Sequence, residues 1–173
     1  KLVFTNSKLR KQDNETVEKW KLYEGYIEYL IMVERKELPV LKNSQSKHFQ
    51  PSRIISKPAV YSTEQRIFTV HMLILQVLFL FEERKFNDAL ERIDRLKKYA
   101  NRQLRREEYA RPVQFIRLLQ QYAKSDFQPT EVTGTEKYLS QLKDTPFFYR
   151  GVSDELEIIP YETLWEYVKQ YVR

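Results

Sequence analysis

The longest apolar run in the chain is Ile67 to Phe81, IFTVHMLILQVLFLF, interrupted only by Thr69, His71 and Gln76. A bilayer-spanning helix needs about 20 apolar residues, and an ordinary strand has only about 5–6. A helix apolar on nearly every side is one buried on several sides. The run therefore predicts the central helix of an all-α domain, capped by Ser62 or Thr63 and ending near Glu83. Beyond a turn around Glu83 to Lys85, the residues Phe86, Ala89, Leu90, Ile93, Leu96, Ala100 and Leu104 fall on one face of a second helix. The two together predict an αα-hairpin.

The rest of the chain reads as further helices. Val17, Trp20, Tyr23, Ile27, Leu30 and Ile31 stand at helical spacing behind the cap candidates Asp13 and Asn14, predicting a first helix to about Arg35. Residues 37–62 break the pattern with Pro39, Pro51 and Pro58 among polar residues. Proline removes a backbone donor and disfavours helix just before it. An irregular connection is predicted there, with an extended piece around Arg53 to Ile55 or else a hidden short helix. A helix from about Arg111 to Ala123 follows, with Pro112 in its first turn. Another is strongest over Glu136 to Lys143, with Tyr138, Leu139 and Leu142 facing inward and Pro146 ending it. Ile158 and Ile159 read as briefly extended. Pro160 fits the first position of a last helix, whose inward face is Tyr161, Leu164, Trp165, Val168, Tyr171 and Val172. The expected architecture is all-α, a stack of about six helices packed as antiparallel hairpins in one domain over 1–173. The chain begins at Lys1 rather than Met, which reads as a fragment of a longer protein.

Two resemblances attach to these residues. Phe86, Ala89 and Ile93 resemble the second helix of a tetratricopeptide repeat, although Val77 stands where that repeat's first helix needs a small residue. No second copy follows at the 34-residue period. A hairpin of this kind needs neighbours on both sides, which accounts for an all-round apolar helix. The segments ILQVLFLFEERKFNDALERIDRLKKYANRQLRREE, EKYLSQLK and EIIPYETLWEYV are similar to a group of uncharacterised bacterial helical proteins. That resemblance implies a bacterial, intracellular protein and no particular activity.

Composition narrows the chemistry. With 42% hydrophobic residues the chain builds a core, and with 31% charged residues it covers that core with a solvated surface. Cysteine is absent, which excludes disulfides, zinc–thiolate sites and thiol catalysis and suits a cytoplasmic location. Three glycines leave no phosphate-cradling loop. His48 and His71 are the only histidines, with no metal-ligand spacing. His71 reads as a core histidine with its ring hydrogen-bonded, His48 as exposed. Asp154, Glu155 and Glu157 read as serving the N-terminus of the last helix. No catalytic residue, cofactor, metal or membrane contact is expected.

The net charge of +6 permits acidic partners or nucleic acid. Asp88–Arg92, Glu91–Arg95 and Asp94–Lys98 are i, i+4 pairs in the stabilising orientation. Arg102, Arg105 and Arg106 have no acid four residues upstream. Lys98, Arg102, Arg105 and Arg106 are therefore the candidate binding patch, to be weighed against a solvated helix face. Tyr149, Tyr161 and Tyr167 are candidates to line a groove. The leading expectation is a non-enzymatic interaction module for a protein or peptide. The alternative is nucleic-acid or anion binding through Lys98 to Arg111, with Tyr99 and Tyr109 as stacking aromatics. An enzyme with its site in 37–62 ranks last.

Overall fold

The computed structural model describes residues 13–37, 49–56, 66–128, 134–145 and 157–171. Among these residues there are seven α-helices and no strand. The chain groups into two compact units, Lys1–Ser56 and Lys57–Arg173.

The first unit holds α1 (Asn14–Glu37) and α2 (Pro51–Ile55). Asp13 caps α1: its carboxylate accepts from the Thr16 N–H at 2.8 Å and from the Thr16 hydroxyl at 2.9 Å. This satisfies one of the donors that a helix start leaves open. Leu22, Tyr26, Tyr29 and Val33 are buried, whereas Trp20 and Ile27 are exposed. Arg53 to Ile55 are helical, not extended. Pro51 sits at the start of this short helix, where its fixed φ is already helical and its missing N–H has no partner to lose. The connection is thus not irregular throughout. Residues 38–48 and 57–65 lie outside the described residues, as do the expected caps Ser62 and Thr63.

The second unit holds α3 (Arg66–Glu82), α4 (Phe86–Gln103), α5 (Ala110–Lys124), α6 (Thr135–Asp144) and α7 (Tyr161–Val168), with a 3₁₀ turn at Glu107–Tyr109 before α5. Each helix from α3 to α6 packs on the next, and α7 packs on α5 and α6. Every residue of α3 from Phe68 to Phe81 is buried. No described helix is long and apolar enough to cross a membrane.

The turn after α3 is built without glycine. Lys85 N–H bonds the Leu80 carbonyl and Arg84 N–H bonds the Phe81 carbonyl, the paired closure of a Schellman motif. It requires a left-handed residue, and Arg84 supplies it at φ 56°. The end of α5 repeats the motif: Phe127 N–H bonds the Tyr122 carbonyl and Asp126 N–H bonds that of Ala123. The rings of Tyr122 and Phe127 then meet at 5.5 Å, the apolar contact that accompanies such a cap.

Aromatic contacts bind the helices into one core. Phe81 touches the rings of Phe86, Tyr122, Phe127 and Tyr171. The Tyr171 hydroxyl donates to the Glu82 carboxylate, and the Tyr122 hydroxyl to the Tyr171 carbonyl. Pro160 precedes α7 as its cap residue instead of occupying the first helical position, and Ile158 and Ile159 form a bend. Leu142 of α6 is buried, while Tyr138 and Leu139 are half-buried.

Candidate functional site

The site with the most convergent chemistry in the second unit is a cleft between the C-terminal half of α4 and α5. One face of α4 is spent on the core through Ala89, Ile93, Leu96 and Ala100. The adjoining edge presents Lys97 and Asn101, positions one turn apart. The helix stops at Leu104, whose N–H still bonds the Ala100 carbonyl at 2.9 Å. Arg105 then folds back, its Nε donating to the Asn101 carbonyl at 3.1 Å. A cation there meets the negative end of the helix dipole. Opposite, α5 presents Val113, Ile116, Arg117 and Gln120, which share one helical face. Together they enclose about 240 Å³. Ala100, Leu104, Val113 and Ile116 make it apolar, Asn101 and Gln120 add amides, and Lys97, Arg105 and Arg117 make it cationic. Among the described residues no acidic one lines it. A second depression, of about 280 Å³, lies over the turn from Arg84 to Asp88. It is made by a single turn, and its Lys85 is paired with Glu83 at 2.7 Å.

Of the four basic residues singled out in the sequence, only Arg105 lines the cleft. Lys98 pairs with Asp94 at 2.6 Å. That hydrogen bond, more than the charge itself, holds the Asp94 carboxyl below its usual range. Arg102 and Arg106 are exposed and lie outside the cleft lining. Lys97 and Arg117 were not singled out. Arg117 is recognisable only once α5 is set against α4, because no sequence pattern reports which faces of two helices meet. Tyr99 and Tyr109 are half-buried and do not line the cleft.

Arg111, the last cation of the segment considered for nucleic acid, is committed elsewhere. Its Nε donates to Glu157 at 2.6 Å, and its Nη2 to Glu157 at 3.0 Å and Glu162 at 2.8 Å. Its Nη1 donates to the carbonyls of Leu142 at 2.7 Å and Thr145 at 3.0 Å. All five guanidinium donors are used, and the start of α5 is tied to the end of α6 and the start of α7. The Arg111 side chain is 12% exposed and that of Glu157 6%. Burial alone would lower the Arg111 pKa, but the hydrogen bonds and charges of Glu157 and Glu162 hold it above its usual value. Burial raises the Glu157 carboxyl, and Arg111 together with the Tyr161 N–H offsets this only in part. Glu157 accepts that N–H at 3.4 Å, so it does serve the N-terminus of α7. Asp154 and Glu155 lie outside the described residues.

His71 is a buried core residue, 2% exposed. Its ring stacks on Tyr161 with centroids 6.4 Å apart, and Tyr161 stacks on Phe115 at 4.7 Å. Burial brings the imidazole pKa down to about 3, so the ring is neutral at physiological pH. Tyr161 is thereby a core residue and not a groove residue; Tyr167 is half-buried, and Tyr149 and His48 lie outside the described residues. Among the described residues no group of three or more His, Asp or Glu is placed to hold a metal ion.

No family model, curated protein or solved structure matches this chain. Fold and site together define an all-helical protein with a cationic cleft over an aliphatic floor.

Proposed function

We propose that this chain is a non-enzymatic helical interaction module that binds a protein or peptide segment. The observation that carries this reading is the α4–α5 cleft, where an aliphatic floor and a basic rim occur together. Its volume of about 240 Å³ is below the roughly 300–1,000 Å³ typical of sites that engulf a small molecule. It suits one or two side chains of a longer ligand. A buried apolar anchor ringed by polar contacts is the usual layout of a protein interface. The tetratricopeptide-like packing suggested by Phe86, Ala89 and Ile93 belongs to the same reading, since stacked helical hairpins offer such grooves.

Selection of a random displayed peptide library against the purified chain, followed by amide chemical-shift mapping with a selected peptide, tests the proposal. Shifts are expected to cluster at Ala100, Asn101, Val113, Ile116 and Gln120. Failure to select any peptide, or shifts confined to another face, would overturn it.

A further inference from the structure

We infer that the segment taken by the α4–α5 cleft is acidic: a peptide that seats one large apolar side chain against Leu104, Val113 and Ile116 and sets carboxylates against Lys97, Arg105 and Arg117. This rests on the reading of the cleft as a peptide site and adds the chemistry of the occupant.

Three observations carry it. The first is charge complementarity. Among the described residues three cations line the cleft and no acid does. Among the described residues none of the three is in an ion pair. Lys98, one residue beyond Lys97, is by contrast ion-paired with Asp94 at 2.6 Å, whose charge also reaches Lys97 without an ion-pair contact.

The second is preorganisation. The Arg105 Nε is fixed on the Asn101 carbonyl, which leaves its terminal amino groups for a carboxylate, the geometry of a two-pronged pair. The Arg117 guanidinium stands over the Tyr138 ring at 5.9 Å and donates to Gln114 at 3.3 Å. Side chains already held by neighbours lose less freedom when a ligand arrives.

The third is the floor. A single-stranded nucleic acid is held by aromatic platforms for its bases beside cations for its phosphates. This floor is aliphatic, and Lys98 and Arg111 are spent on Asp94, Glu157 and Glu162. An aliphatic floor with a basic rim fits an acidic amphipathic peptide.

Fluorescence anisotropy with four labelled probes tests the inference. They are a short peptide with a central leucine flanked by glutamate and aspartate, its counterpart flanked by glutamine and asparagine, an acidic peptide with serine at the centre, and an oligothymidylate. The acidic leucine peptide is expected to bind tightest, and to weaken as salt rises. Arg105→Glu with Arg117→Glu should weaken it about tenfold or more. Arg95→Glu with Lys143→Glu, a matched charge change at exposed positions off the cleft, should not. If the charge-reversed pair fails to melt cooperatively, Arg105→Gln with Arg117→Gln replaces it. Equal binding of the neutral peptide, indifferent to these variants, overturns the acidity and leaves the interaction module standing. Oligothymidylate binding tighter than any peptide and lost in the same variants overturns both.

Discussion

Arg111→Met is the substitution that tests most of the fold at once. Methionine keeps a long apolar stem and removes the guanidinium. Glu157, with its side chain 6% exposed, then loses its cation, and the carbonyls of Leu142 and Thr145 lose their donor. Breaking a buried ion pair from one side costs about 3–5 kcal/mol, because the remaining charge stays desolvated. Glu162 adds less, since its side chain is 29% exposed and water can solvate it. The expected loss at pH 7 is therefore about 3 kcal/mol or more, a large share of a typical stability of about 5–15 kcal/mol. Urea denaturation followed by circular dichroism reads it directly. Two controls identify the cause. Glu157→Gln in the Arg111→Met background should recover most of the loss, because a neutral amide is far cheaper to bury than a carboxylate. The penalty should also shrink as pH falls from 7 towards 5. Burial raises the Glu157 carboxyl, and without Arg111 it rises further. The folded variant then takes up a proton as pH falls and sheds its buried charge. A penalty under about 1 kcal/mol, or one unchanged between these pH values, would refute the view of this network as a desolvated clamp joining α5, α6 and α7.

Three further outcomes are expected. The His71 imidazole, lowered by burial to about 3, stays neutral in the folded chain while the unfolded chain binds a proton below about pH 6.5. The stability it contributes is therefore present above pH 6.5 and lost as pH falls towards 3. From pH 7 to pH 5 the native chain should lose about 2 kcal/mol more than His71→Phe, and parallel urea curves for the two proteins would miss that prediction. Leu75 is fully buried in the middle of α3, so Leu75→Asp should unfold the second unit by burying an unpaired charge. A fully helical, cooperatively melting variant would show instead that this face of α3 is accessible. Arg84 adopts the left-handed conformation at φ 56°, which costs a side chain about 1–2 kcal/mol. Arg84→Gly removes that strain but loosens the unfolded chain, for a net gain of about 0.5 kcal/mol visible as a raised melting temperature; a lowered one contradicts it.

Much of this architecture is legible in periodicity, because helix formation depends on residues three and four apart. The end of α3 and both ends of α4 and α5 fall within a few residues of expectation, whereas α7 stops at Val168, before the expected Tyr171 and Val172, and Asp13 caps α1 as its residue type suggests. Proline gave mixed guidance. Around Pro51 the chain bends into a short helix, since the ring that breaks a helix interior also suits a helix start. The positive-φ turn at Arg84 carried no signal, because the usual mark of such a turn is glycine. What one-dimensional pattern cannot carry is which faces meet. The pairing of Arg111 with Glu157 spans 46 positions, and no local rule links them. The same holds for the basic patch. Sequence marked Lys98, Arg102, Arg105 and Arg106 by the absence of nearby acids along one helix. Tertiary packing joined Arg105 to Lys97 and Arg117 across two helices. The sequence by itself determined that α3 is buried and that the basic helix ends near Leu104, because both follow from local spacing. Only the folded unit decided which cations remain available around an apolar floor, because that depends on the packing of α4 on α5 and on the carboxylates that the later helices bring to Arg111.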